Sequence, residues 1–258
     1  MLAPAFQRRG MARGGVFAGA CATLAFAAAA LLAGPPLETD DPDTPGPGRW
    51  EINVATTMEK RRDAWEWTPL FDLNYGVGER LQLKLKPRYV VLDEPALRER
   101  SGPGNIQAGV KWRFLDEKAR GLAVSIYPQV DLNPPGMSDT RGLVEDGAAY
   151  LLPVQMAKSF GQTRIYGEVG YVWREHRRDG WLYGIAFEHP IEAAFRLTGE
   201  LRGGSEGDLA ESELLFNVGF KARLADHVTL LASGGRTLRE APEEPAAVFS
   251  YLGLQFTF

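Results

Sequence analysis

Cysteine is all but missing from this chain of 258 residues: the single one, Cys21, lies in an N-terminal apolar stretch. Histidine is scarce as well, with only His176, His189 and His227. So few soft ligands, at no metal-binding spacing, exclude a thiolate or Cys/His metal centre and give no cofactor to expect. Beyond residue 33 no stretch reaches the ~18 consecutive apolar residues that a membrane helix needs. Nor is there a basic excess. Lys and Arg number 29 against 33 Asp and Glu, a formal net charge of −4, which gives no footing for nucleic acid as a partner.

Three arginines (Arg8, Arg9, Arg13) precede an apolar run over 16–33, which Pro35 and Pro36 break. Those three parts predict a cleavable secretory signal over residues 1–33, with Met11 as an alternative start and a retained membrane helix as the competing reading. Its removal leaves 26 basic and 33 acidic residues, a net charge of −7, and no thiol. The exported chain therefore has no disulfide. Residues 34–47 are rich in Pro, Gly and acids and predict a flexible leader. A second reading makes Glu38, Asp40, Asp41, Asp43 and the nearby Glu51 a gate folded into the basic periplasmic mouth of the lumen.

From residue 48 to 258, period-two alternation recurs with turn residues between the runs. Twelve strands are predicted, at 48–60, 64–77, 80–92, 104–115, 120–132, 147–159, 162–174, 180–188, 192–202, 212–223, 226–236 and 247–258. In the third, Leu81, Leu83, Leu85, Tyr89 and Val91 oppose Gln82, Lys84, Lys86 and Arg88. In the fourth, Val110, Trp112 and Phe114 oppose Gly109, Lys111 and Arg113. Pro69, Pro87, Pro128 and Pro153 fall inside strands and require a bulge or a missing ladder bond at each.

Two observations favour a closed antiparallel transmembrane β-barrel over a soluble sandwich. Connections alternate between tight turns, such as Gly78-Glu79, and longer ones rich in Gly, Pro and charge, the short first hairpin around Arg61-Arg62-Asp63 excepted. All six tryptophans (Trp50, Trp65, Trp67, Trp112, Trp173, Trp181) fall on the apolar parity near strand ends, where an indole settles between hydrocarbon and headgroup. An even strand number leaves no unpaired edge in lipid and predicts both mature termini on the periplasmic side.

The last strand carries Leu252, Leu254, Phe256 and Phe258 on one parity. It resembles the closing strand of Gram-negative outer-membrane barrels, in which a C-terminal Phe is read by the barrel-assembly machinery. That resemblance implies Phe256 and Phe258 as an assembly signal, and outer-membrane lipid as surroundings. Three stretches are similar to the outer-membrane barrel family associated with meta-pathway phenol degradation, the MetA-type transporters. They are the acidic lead-in from Glu38 to Glu51, the tight turn from Asp72 to Leu81, and the Gly-rich stretch from Gly102 to Phe114. Asn105, where the family carries Asp, and Asn133-Pro134-Pro135-Gly136 depart from the pattern. The resemblance implies a channel for small molecules, aromatic and hydrophobic ones among them.

The polar parity predicts an inward face carrying Glu51, Glu66, Asp72, Lys84, Lys86, Arg88, Lys111, Arg113, Glu168, Arg196, Glu200 and Lys221. The turn near Gly78 brings Asp72 close to Lys84 or Lys86. These charges either pair and plug the cylinder or line a wet basic wall that orients a small-molecule solute. An outer-membrane hydrolase is the competing class. His189 and His227 are expected in turns, and His176 beside Asp179 in a solvated loop, so no nucleophile–His pair is expected and the chain reads as no enzyme.

Overall fold

The computed structural model describes residues 34–62, 64–94, 99–133, 142–144, 147–207, 209, 212–240 and 247–258. The signal expected over 1–33, Cys21 included, and the centres of the longer connections lie outside the described residues. Thirteen segments form one antiparallel sheet: β1 (Trp50–Arg61), β2 (Ala64–Val77), β3 (Leu81–Asp93), β4 (Arg100–Leu115), β5 (Ala123–Ile126), β6 (Gln129–Leu132), β7 (Ala149–Phe160), β8 (Thr163–Arg174), β9 (Gly180–Glu192), β10 (Phe195–Glu206), β11 (Glu213–Ala225), β12 (Val228–Arg239) and β13 (Ala247–Thr257). The last pairs back onto the first, from Glu51↔Thr257 to Arg61↔Ala247, so the sheet closes. Both β5 and β6 lie between β4 and β7 and make one interrupted stave. The barrel therefore has twelve staves, as alternation predicts. No described helix is long and apolar enough to cross a membrane.

Parity sets which residues look outward. Trp67 is 53% exposed, Leu85 45% and Val110 42%, whereas Lys111, one position on, is 2% exposed. In hydrocarbon each orphan N–H or C=O would cost several kcal/mol, and closure removes them. Gly78 (φ +60°) supplies the left-handed conformation for the Gly78-Glu79-Arg80 turn, from which β2 and β3 pair at Val77↔Leu81. This end of the barrel, which also holds the start of β1 and the finish of β13, is called the turn end; the opposite is the loop end.

The sheet departs from the expected pattern in three places. The fifth strand breaks at Tyr127-Pro128, where Val110 N donates to Pro128 O (3.0 Å) and Tyr127 N to Pro153 O (2.9 Å). The other two in-strand prolines meet a second lapse. Pro69 has no β3 partner, Pro87 has no β2 partner, and the β3–β4 register shifts between Pro87 and Tyr89. All four prolines thus fall in two patches where the ladder is interrupted and a missing N–H costs little. Second, the fourth connection is a single helical turn, α1 (Glu117–Arg120), rather than a tight turn. The Asp116 side chain caps it by accepting from Lys118 N, and Gly121 at φ +74° ends it. Third, β9 runs on to Glu192, so His189 sits in a strand and not in a turn; its Nδ1 is 2.8 Å from Thr163 Oγ1.

Candidate functional site

The inward face is built from charges that strand neighbours bring together. Lys84 Nζ is 3.5 Å from Asp72 Oδ1, and Arg88 Nη1 is 3.4 Å from Asp131 Oδ2. Glu188 takes both Arg196 (2.7 Å) and Lys221 (2.9 Å). Neutral donors serve other acids: Asn53 Nδ2 donates to Glu51 (3.4 Å), Thr68 Oγ1 to Glu66 (2.9 Å) and Asn217 Nδ2 to Glu200 (2.7 Å). Of the twelve charged residues read from parity, Lys86 has neither an ion pair nor a hydrogen bond among the described residues, and it lines a cavity.

The remaining wall charges meet the leader, which crosses the lumen. Glu200 accepts the backbone N–H groups of Glu38 (3.0 Å) and Thr39 (2.7 Å), and Glu168 accepts that of Asp40 (3.3 Å). Arg202 lies 3.2 Å from Glu38 and 2.8 Å from Glu168. Lys111 is 3.1 Å from Asp40 and donates to Asp41 O (2.5 Å). Farther toward the turn end, Asp43 takes Arg113 (3.3 Å) and Arg164 (2.9 Å). Ser233 Oγ donates to Pro36 O (2.7 Å), so β4, β8, β10 and β12 all hold the segment.

Packing complements the charge. Leu37 is buried with Ala123, Ala157, Tyr166 and Ala186 in a small apolar niche of the wall. Two glycines make room for the leader, Gly76 for its backbone and Gly184 for the Thr39 side chain. A Cβ on Gly76 would lie 1.8 Å from Gly46 O, and one on Gly184 would lie 2.2 Å from Thr39 Oγ1. Gly48 N also donates to Gly76 O (2.9 Å), and Gly76 N to Arg49 O (2.9 Å), which extends the sheet onto the leader.

Burial acts differently on the two central leader acids. Burial pushes the Asp41 carboxyl up to about 7, against Lys111 and with Asp43 and Asp40 adding to the rise. At Asp40 burial raises in the same way, but Lys111, Lys84 and the Asp41 N–H together hold the carboxyl below its usual range.

On the loop side of the leader lies a cavity of about 390 Å³, lined by Lys84, Lys86, Arg88 and Arg202 and by apolar Leu70, Leu151, Leu182 and Phe249. A neighbouring cavity of about 340 Å³ shares Leu151, Leu182 and Phe249 and adds Val172 and Leu215. Alternation alone does not reveal these inward apolar side chains, because they occupy the polar parity. On the other side, a cavity of about 20 Å³ lies among Asp43, Glu51, Asp72 and Lys111. The leader thus divides a roomy loop-side compartment from a tight one toward the turn end.

The six tryptophans point outward, at 37–53% exposure. Trp50 lies tilted against Tyr75 (4.8 Å between ring centroids), while Trp173 and Trp181 each lie 5.0 Å from Tyr171. On β2, Trp65 and Tyr75 are ten residues apart, about 34 Å along the strand and about 26 Å along the axis at a typical ~40° tilt. That approaches the ~25 Å apolar band of outer-membrane barrels. At the loop end, the Asp179 carboxylate accepts from Arg174 N (2.9 Å) and Tyr171 Oη (3.4 Å), which commits it to holding the turn around His176. Phe256 and Phe258 lie at the turn end, where Phe258 N donates to Trp50 O (3.0 Å).

No protein-family model and no curated protein sequence matches the chain. Solved structures do. The COG4313 outer membrane channel from Pseudomonas putida F1 superposes with a TM-score of 0.72 at 13% identity, over 86% of this chain and 100% of that one. The NanC porin gives 0.60 at 10% identity (80% and 98%), and the KdgM porin in complex with disordered oligogalacturonate 0.54 at 10% (81% and 99%). At such identities the likeness is one of fold: a closed antiparallel β-barrel.

Proposed function

We propose that the chain is a passive channel of a Gram-negative outer membrane, exported by a signal over residues 1–33, with both mature termini in the periplasm. Small solutes, aromatic and hydrophobic ones among them, enter a loop-end vestibule and pass a constriction formed by residues 34–47. The fold neighbours, which are outer-membrane channels and porins, support the channel role. The resemblance to the meta-pathway phenol-degradation family supports the solute class. One observation carries the constriction: Asp40 and Asp43 reach β4 and β8, and Glu38 reaches β10, so the segment bridges opposite walls.

Strand β13 with its Phe256 and Phe258 is the segment we assign to recognition by the assembly machinery. The six tryptophans serve as the barrel's interfacial belt. Liposome swelling with neutral, anionic and aromatic solutes tests the channel, using the protein with and without residues 35–47. Permeation that increases on deletion supports it. No permeation by either form would favour the second reading, a plugged structural barrel, which the dense ion pairing around the leader motivates.

A further inference from the structure

Strand β3 places Lys84, Lys86 and Arg88 on the inward face, each about 7 Å from the next. Asp72 answers the first and Asp131 the third. The middle ammonium is left without an ion pair or a hydrogen bond among the described residues, although it is partly buried and flanked by two like charges. The carboxylates that line the same cavity are committed elsewhere. Glu59 pairs with Arg61, Glu66 accepts from the Thr68 hydroxyl, Asp40 is held by Lys111, and Glu38 and Glu168 share Arg202. Removing a charge from bulk water without pairing it is costly, so such a group recruits an anion when one can reach it.

We infer that the loop-side cavity binds a small organic monocarboxylate, with Lys86 holding the carboxylate and Leu70, Leu151, Leu182 and Phe249 receiving its apolar body. This rests on the reading that solutes enter the lumen. A cavity of about 390 Å³ falls within the ~300–1,000 Å³ of small-molecule sites. The apolar wall separates this ligand from an inorganic ion, since chloride would satisfy the charge and leave the apolar surface unused. The charge separates it from a neutral hydrocarbon.

Calorimetric titration of the detergent-solubilised protein tests the site, with benzoate as probe and benzyl alcohol and chloride as controls. Benzoate is expected to bind the wild type and Lys86→Arg alike, and Lys86→Gln at least about tenfold more weakly, the worth of one charge-assisted hydrogen bond. Benzyl alcohol should show no dependence on residue 86. Equal benzoate affinity in wild type and Lys86→Gln, absence of binding in both, or chloride binding as tightly as benzoate would overturn the inference. Flux into liposomes, measured in parallel, separates the two ideas. Lys86-dependent binding without flux leaves the site standing and removes the channel, whereas flux with benzoate affinity indifferent to Lys86→Gln leaves the channel and removes the site.

Discussion

Lys111 Nζ on β4 lies 3.1 Å from Asp40 Oδ1, so a wall residue and a leader residue 71 positions apart neutralise each other inside the barrel. The lysine is almost wholly enclosed, and its second acceptor, Asp41 O, also belongs to the leader. The leader is therefore the counter-ion of the wall. Breaking such a buried pair from one side costs about 3–5 kcal/mol because the other charge stays behind. Lys111→Met should loosen the leader and raise single-channel conductance, while the closed barrel, which has no need of the pair, still migrates as a folded band in cold detergent electrophoresis.

Gly184 makes the same point through shape. Each of the three atoms nearest to a Cβ there belongs to Thr39. Gly184→Val should expel the leader by steric conflict without touching a charge, raising conductance to the level of a chain lacking residues 35–47. Gly78→Ala, at a turn where a Cβ meets nothing but the φ is positive, should leave conductance at the wild-type level and lower only folding efficiency.

Alternation made the staves legible because a residue's parity decides its solvent, and one slip would turn Leu85 and Lys84 inside out. Asp72 beside Lys84 was likewise within reach, since the Gly78 turn sets the β2–β3 register. Three things were not. The break at Tyr127-Pro128 follows from two prolines meeting across strands, which requires the register of β7. Inward Leu151, Leu182 and Phe249 share the polar parity, so period-two counting assigns them to the wrong chemistry. The niche that receives Leu37 and the strands that Asp40 meets are long-range contacts of a turn-like segment, for which no local periodicity exists; charge complementarity alone pointed the leader's acids into the lumen.

The two central leader acids give the docking a pH window. The docked Asp41, held up to about 7, binds a proton that a solvated carboxylate (~3.9) does not. Its contribution is therefore full at low pH and lost as pH rises through about 7. Asp40 works oppositely: held low, it contributes above ~4 and is lost as pH falls through its docked value. The leader's preference for the lumen should therefore be greatest near pH ~4 and weaken steadily as pH rises to about 7, above which neither carboxyl changes it further. Conductance recorded against pH should rise between about 4 and 7 in the full chain and level off above, and stay flat over that range once residues 35–47 are removed.

The outward face makes a separate prediction about stability. Leu85 is 45% exposed on the apolar band, and a cation there must enter hydrocarbon. Leu85→Arg should cost about 2–4 kcal/mol of folding free energy in lipid vesicles if this residue lies near the bilayer midplane. Urea-unfolding midpoints of this variant and of Gln107→Arg, an inward position on β4, compare the two faces. An equal loss at both would mean that the faces are not differently solvated.

One cross-link decides whether the leader lies across the lumen. Residues 34–258 hold no cysteine, and a Cβ on Gly184 would lie 3.2 Å from Thr39 Cβ, close to the ~3.5–4.5 Å of a disulfide. The double variant Thr39→Cys, Gly184→Cys should form that bond on oxidation and hold the channel at low conductance. Reduction should then open it, as the released side chain at position 184 displaces the leader. Failure of the pair to cross-link, or a conductance identical in both redox states, would mean that the leader does not dock against β9 and does not constrict the lumen.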